Sequence, residues 1–267
     1  MPADICTRPW EYRVEPFRIL GNLYYVGNRD VSSHLIDTGE GLILLDTAFP
    51  QTVYLLLESI RELGFDPGEI RWIVHSHAHY DHCGGTRAIV ELTSAKTALG
   101  RDDLFMLTDR PELTWAPEYG TEFHEFFAVD RLMQDGDRLA LGNTVIECLH
   151  APGHTPGVLA CFFEVSEGAD RYVVGTHGGP GLNTLTETYL TQYGLTFDAR
   201  TQYLDSLKKL KKRHVDIFIG AHPGQSNTLD KRQGMTDAAN PFIDATAWPR
   251  FLAQLEANAR RAFGIEG

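Results

Sequence analysis

The stretch His77-Ala78-His79-Tyr80-Asp81-His82, followed by Gly84 and Gly85, constrains this chain more than any other feature. Three imidazoles and a carboxylate in six positions are too dense for surface decoration. Just upstream, Ile70, Trp72, Ile73 and Val74 read as a short buried strand. A metal site at the end of that strand accounts for both observations.

His77 and His79 are two positions apart, so in an extended segment they project to the same side. Asp81 and His82 then fall in the turn. Gly84 and Gly85 allow tight backbone geometry there, and Ala88, Ile89, Val90 and Leu92 begin a helix. Imidazole and carboxylate suit zinc, and also iron or manganese. A single ion does not readily use all four groups from so short a loop. Two ions side by side do, with further ligands from elsewhere. His154, in Ala151-Pro152-Gly153-His154-Thr155-Pro156-Gly157, and His222, just past the apolar run 215–219, supply candidates. Alone, each reads equally well as a histidine capping a Gly/Pro turn. Beside the four-group cluster, ligation is the better reading. Asp46, after the apolar residues 42–45, is placed to accept a hydrogen bond from a ligand imidazole and set its tautomer. The bland alternative is a turn aspartate. His34, His75, His124, His150 and His214 read as ordinary polar or packing histidines.

The chain has 267 residues, 43% of them hydrophobic, enough for a full core. One domain over 1–267 is expected, because no linker, repeat or low-complexity run appears. A formal net charge of −12 argues against nucleic acid as a partner and leaves a small-molecule substrate. The basic run 208–213 reads as the solvated face of a helix that turns Tyr203, Leu204, Leu207 and Leu210 inward. Cys6, Cys83, Cys148 and Cys161 form no CxxC pair and no disulfide framework. Cys148 and Cys161 read as small buried side chains, while Cys83 falls beside the ligand cluster, where it would make the site sensitive to oxidation. The opening residues show no basic-then-apolar leader, and no apolar span is long enough for a membrane. Two locations stay open: export, with a leader outside this sequence, or the cytoplasm.

Strand signals occur at 17–26, 31–37 and 42–46, with a helix over 52–63. A strand at 97–99 and a helix near 102–108 follow the ligand loop. Residues 110–127 are irregular and aromatic; Trp115 and Tyr119 are candidates for a lid over substrate. The second half repeats the scheme: strands within 131–163 and at 172–174, a helix over 199–212, a strand before His222, and a helix over 247–263. Such an order argues for two sheets face to face with helices outside.

His77, His79, Asp81 and His82 match the HxHxDH motif of the metallo-β-lactamase superfamily. The chain resembles that family from about residue 18 to 225, including Leu44-Leu45-Asp46-Thr47, Gly-His-Thr-Pro-Gly around His154, and His222. The resemblance implies an α/β four-layer αββα sandwich holding two Zn2+. It assigns His77, His79 and His154 to one ion and Asp81, His82 and His222 to the other. Asp81 and His222 also count as the catalytic candidates. At the end of the strand near 171–176 most members carry a bridging aspartate or a cysteine. Here Thr176-His177 stands instead, as in the third subclass of metallo-β-lactamases, which has serine there. Asp135-Gly136-Asp137 and Ala221-His222-Pro223-Gly224 resemble that subclass too. Thr176 is the departure, and His177 reads first as a residue supporting the ligands, with an added ligand or a substrate contact as the alternatives. Tyr189, Tyr193, Ser226 and Asn227 are further substrate-contact candidates. The activity implied is hydrolysis of a β-lactam ring by a zinc-held hydroxide. The alternatives are a lactone, thioester or other ester hydrolase, and, from another reaction class, an iron-dependent persulfide oxygenase.

Overall fold

The computed structural model describes residues 4–265. Residues 1–3, part of the segment read as lacking a leader, lie outside them. Seven strands form one sheet in sequence order: β1 (Phe17–Leu20), β2 (Leu23–Tyr25), β3 (His34–Asp37), β4 (Leu42–Leu45), β5 (Ile70–Val74), β6 (Lys96–Gly100) and β7 (Arg131–Met133). The first four pair antiparallel, and β4 to β7 run parallel. A second sheet holds β8 (Asp137–Leu141), β9 (Thr144–His150), β10 (Leu159–Glu167), β11 (Asp170–His177) and β12 (Ile217–Phe218), in the order β12-β11-β10-β9-β8.

The sheets pack face to face. Ile36, Ile43 and Val74 of the first meet Ile146, Cys148, Cys161 and Phe163 of the second in one apolar core. The outer face of the first sheet is covered by α1 (Val53–Glu62) and α3 (Thr86–Thr93). Val53, Leu56, Leu57 and Ile60, at helical spacing, pack there against Leu42, Leu44 and Ile73. The second sheet is covered by α4 (Asp198–Leu210) and α6 (Ala247–Ala262), whose Tyr203, Leu207, Trp248 and Leu252 pack on Ala160, Phe162 and Phe218. This is the expected αββα sandwich. β4 is buried at every position, because helices lie behind it and a sheet in front. Each such Leu or Ile, fully buried, contributes roughly 1.5–3 kcal/mol.

Some local expectations need correction. The run 17–26 is two strands, broken at Gly21-Asn22. Gly21 has φ +53°, and a Cβ there would lie 2.4 Å from the Ser166 carbonyl oxygen. Asp81 and His82 do not sit in an open turn but in a one-turn helix, α2 (Tyr80–Cys83). Gly84 and Gly85 are needed for space, not for unusual dihedrals: both have negative φ. A Cβ on Gly84 would meet Pro50 at 2.5 Å, and one on Gly85 would meet the Thr47 oxygen at 2.6 Å. β11 is longer than expected and runs through His177.

The topology places the site. Parallel β4, β5 and β6 put Asp46, the 75–82 segment and residues 101–103 along one sheet edge. In the other sheet β10 is antiparallel to both β9 and β11, while β12 is parallel to β11. The C-terminal ends of β9, β11 and β12 therefore share an edge, as loops that carry ligand groups do in α/β folds. The Leu159 amide donates to the Ser76 carbonyl at 2.8 Å and stitches the two edges together.

Candidate metal centre

Six side chains from these two edges converge in two groups. Potential ligand atoms of His77, His79 and His154 lie within 4.8 Å of one another, and so do those of Asp81, His82 and His222. The groups adjoin, with the His77 and His82 rings 4.3 Å apart between centroids. All six sequence candidates for ligands are thus brought together.

The far nitrogens of the rings are tied to acceptors. His82 Nδ1 donates to Asp46 Oδ2 at 2.9 Å, His154 Nδ1 to the Gly181 carbonyl at 3.0 Å, and His222 Nδ1 to the Asp30 carbonyl at 2.6 Å. A neutral imidazole that donates from Nδ1 keeps its Nε2 lone pair free. The Nε2 atoms of His82 and His222 then face each other across 3.3 Å as two acceptors. Asp81 Oδ2 lies 3.5 Å and 3.6 Å from them. Buried Nε2 atoms of His77 and His79 meet no hydrogen-bond partner. So many converging lone pairs in a buried place repel one another unless a cation sits among them, so the residues fit a metal cofactor.

Proton affinities agree. Burial, with neighbouring rings adding to it, holds His77 and His79 well below the usual imidazole range. Burial also lowers His154 to about 4. These rings are neutral at pH 7, as metal ligands must be. His82 differs: burial opposes its charge, but Asp81 and Asp46 outweigh burial and raise it to about 9.

Asp46 stands where it was expected. Its Oδ1 accepts from the Ser76 amide at 2.7 Å while Oδ2 holds His82. It takes a left-handed backbone, φ 58°, which is strained for a non-glycine residue and is maintained here beside the site. Thr176 is buried in β11 opposite Cys161, and His177 follows it. His177 joins neither group: Nδ1 accepts from the Gly179 amide at 3.3 Å, and Nε2 is buried without a partner. Trp115 is buried, with φ 69°, and its indole lies between His79 and Tyr189 at 5.8 and 5.1 Å. The Tyr119 hydroxyl bonds the Asp81 carboxylate, and its ring packs edge-on against Phe49.

Ser226 accepts from the Gly220 amide at 2.9 Å and pairs with Thr228 at 2.8 Å, and Asn227 turns the chain into α5 (Thr228–Gln233) with φ 51°. The Ser226 hydroxyl is thus engaged within its own turn, while the neighbouring Gln225 lines the cavity. The Tyr193 hydroxyl is engaged by Glu118 at 3.0 Å. Cys83 is fully buried and burial pushes its thiol well up, so it is not the oxidation-prone thiol its position implied. Four residues were missed: Asp30, whose carbonyl fixes His222; Ser76; Gln225; and Asp103. The last carries the same signal as Asp46, a carboxylate just past an apolar strand.

The six candidates line a cavity of about 240 Å³ with Trp115, Gly178, Gly179, Pro180, Gly181, Asn183 and Gln225. A second cavity, also about 240 Å³, adjoins His79 and His154 and is walled by Phe105, Met106, Leu113, Tyr189, Leu190 and Leu195. No helix among the described residues is long and apolar enough to cross a membrane.

Fold and site together define a metal-dependent hydrolase. The chain belongs to the metallo-beta-lactamase superfamily, whose pattern matches residues 26–222. Among solved structures it is similar to BJP-1, a subclass B3 metallo-beta-lactamase of Bradyrhizobium japonicum, with a TM-score of 0.87 and 30% identity over 97% of both chains. It is also similar to LRA-12, a class B3 di-zinc metallo-beta-lactamase from an Alaskan soil metagenome. There the TM-score is 0.82 and the identity 26%, over 96% of this chain and 97% of that one. These neighbours agree with the resemblance to the third subclass. The N-acyl homoserine lactonase of Bacillus thuringiensis is 23% identical over 169 residues, 52% of this chain. The match spans 60% of the lactonase.

Proposed function

We propose that this protein is a dizinc hydrolase that opens β-lactam rings. The observation that carries the reading is the pair of adjoining three-residue groups beside an open cavity, on a fold that follows subclass B3 lactamases over nearly the whole chain. His77, His79 and His154 would hold one zinc, and Asp81, His82 and His222 the other. Zinc so bound supplies an acidified water and a Lewis acid for the carbonyl.

The chain's own residues do the rest. Asp46 keeps His82 in the tautomer that turns Nε2 inward, and the Asp30 carbonyl does the same for His222. Three protein ligands per site leave positions for water and substrate. Thr176 supplies no bridging acid. Trp115 closes one side of the cavity, and the Tyr119 hydroxyl orients Asp81.

The deciding experiment is hydrolysis of nitrocefin and imipenem by the purified protein, with zinc measured on the same sample. Turnover at about two zincs per chain, abolished by a chelator, is expected. No turnover at full zinc occupancy rejects the β-lactam reading and keeps the centre. The similarity to N-acyl homoserine lactonases makes lactone hydrolysis the second reading; faster turnover of a lactone than of any β-lactam would establish it.

A further inference from the structure

The first group of histidines is assembled from two sheets. His77 and His79 come from the segment after β5, and His154 from the loop after β9. Their relative placement therefore depends on what ties the two segments together. One group spans both sources. Asp103 closes a single 3-10 turn (Arg101–Asp103) at the end of β6 and is completely buried. Its Oδ2 accepts from the Ala78 amide at 3.0 Å, between the two histidines, and from the Thr155 hydroxyl at 2.7 Å, one residue past His154. Its Oδ1 accepts from the Gly157 amide at 2.6 Å.

Resting on the two-zinc reading, we propose that Asp103 is a positioning residue for the first site. Its carboxylate clamps the 77–79 backbone to the 154–157 loop and sets the separation of His77, His79 and His154. The packing is built around this contact. A Cβ on Gly157 would lie 2.5 Å from the Asp103 amide nitrogen, and one on Gly100 would lie 1.9 Å from the Gly157 oxygen. Both glycines let the strand end and the loop approach closely enough for one carboxylate to reach both. A buried carboxylate is costly to desolvate, and burial does raise its proton affinity. Its three hydrogen bonds are all to donors of the two ligand loops, so the cost is met where ligand geometry is set. Asn at 103 keeps the shape but turns an N–H toward an amide donor, leaving at least one bond unmade.

The test is a zinc titration of metal-free protein against a chromophoric chelator, resolving two dissociation constants. Wild type, D103N, T155V, D46N and H79A are compared, with thermal unfolding of each metal-free protein. D103N should weaken one constant about 10–100-fold, the usual effect of losing a group that orients ligands, and leave the other within about twofold. The constant it weakens should be the one that H79A removes, whereas D46N should weaken the other. T155V, which keeps the carboxylate, should shift the same constant as D103N by a smaller factor. Unchanged constants in D103N would overturn the proposal. So would equal weakening of both together with a lower unfolding temperature, since that is general support of the fold. If D103N does not fold, T155V decides, and unchanged constants in it reject the clamp. Failure of wild type to bind zinc would reject the two-zinc reading itself.

Discussion

The two halves of the candidate metal centre are built differently. The first, His77, His79 and His154, is made of neutral rings, and its anion, Asp103, acts through backbone amides and a hydroxyl. The second, Asp81, His82 and His222, has a carboxylate among its ligand candidates. A second carboxylate, Asp46, bonds His82 directly. The contrast shows in proton affinity: His77 and His79 are driven well below the usual range, and His82 is raised to about 9. One site is held by geometry and the other largely by charge. A cation entering the first site meets preformed lone pairs. In the second it would also meet the Asp81 carboxylate.

The largest expected effect comes from removing one half. Asp81→Ala should lower zinc content to about one per chain. It should cut β-lactam turnover by about 10³-fold or more, the worth of several kcal/mol of metal-supplied stabilisation. Steady-state kinetics and metal analysis on one sample check this. His79→Ala should do the same through the other half, and loss of both ions from either variant would break the comparison.

A smaller loss is expected when charge support is removed but the ligands stay. Asp46→Asn leaves His82 with a weaker acceptor and an uncertain tautomer. Metal affinity at the second site should fall about 10–100-fold, with the first site retained. Chelator competition reads both constants, and equal weakening of the two would show that the halves are not separable.

Tyr119→Phe tests the contact to Asp81. It removes the hydroxyl that bonds Asp81 but keeps the ring on Phe49. A hydrogen bond worth roughly 0.5–1.5 kcal/mol predicts a drop in kcat/KM of about two- to tenfold, with zinc content unchanged. No change at all would remove Tyr119 from the machinery.

The smallest effect on activity should follow Ser226→Ala. Its bonds go to Gly220 and Thr228, so roughly 0.5–1.5 kcal/mol of stability should be lost while kcat stays within twofold of wild type. A large fall in kcat would restore the substrate contact first expected for this residue.

Legibility in the sequence followed the range of the interactions. β5 was readable to the residue because its apolar run is local, and the helices over 53–62 and 247–262 followed from apolar spacing. Motif density marked the candidate ligands before any contact was known. The turn assigned to Asp81 and His82 became α2, because a single helical turn leaves no periodic trace in four residues. The partners of the Ser226 hydroxyl were not legible, because nearness in sequence to His222 says little about which way a side chain points past a turn.

By itself the sequence determined the αββα class and which residue types gather at the strand ends, through apolar periodicity and motif spacing. How they pair is implied by the family resemblance but stated by no local pattern, and its physical cause lies in the tertiary structure. Only the parallel alignment of β4, β5 and β6 against β9, β11 and β12 sets His154 beside His77 and His222 beside His82. Only that alignment lets Asp103 reach Ala78 and Gly157 at once. These contacts join residues tens of positions apart, and their distances are fixed by sheet packing, which no local pattern encodes.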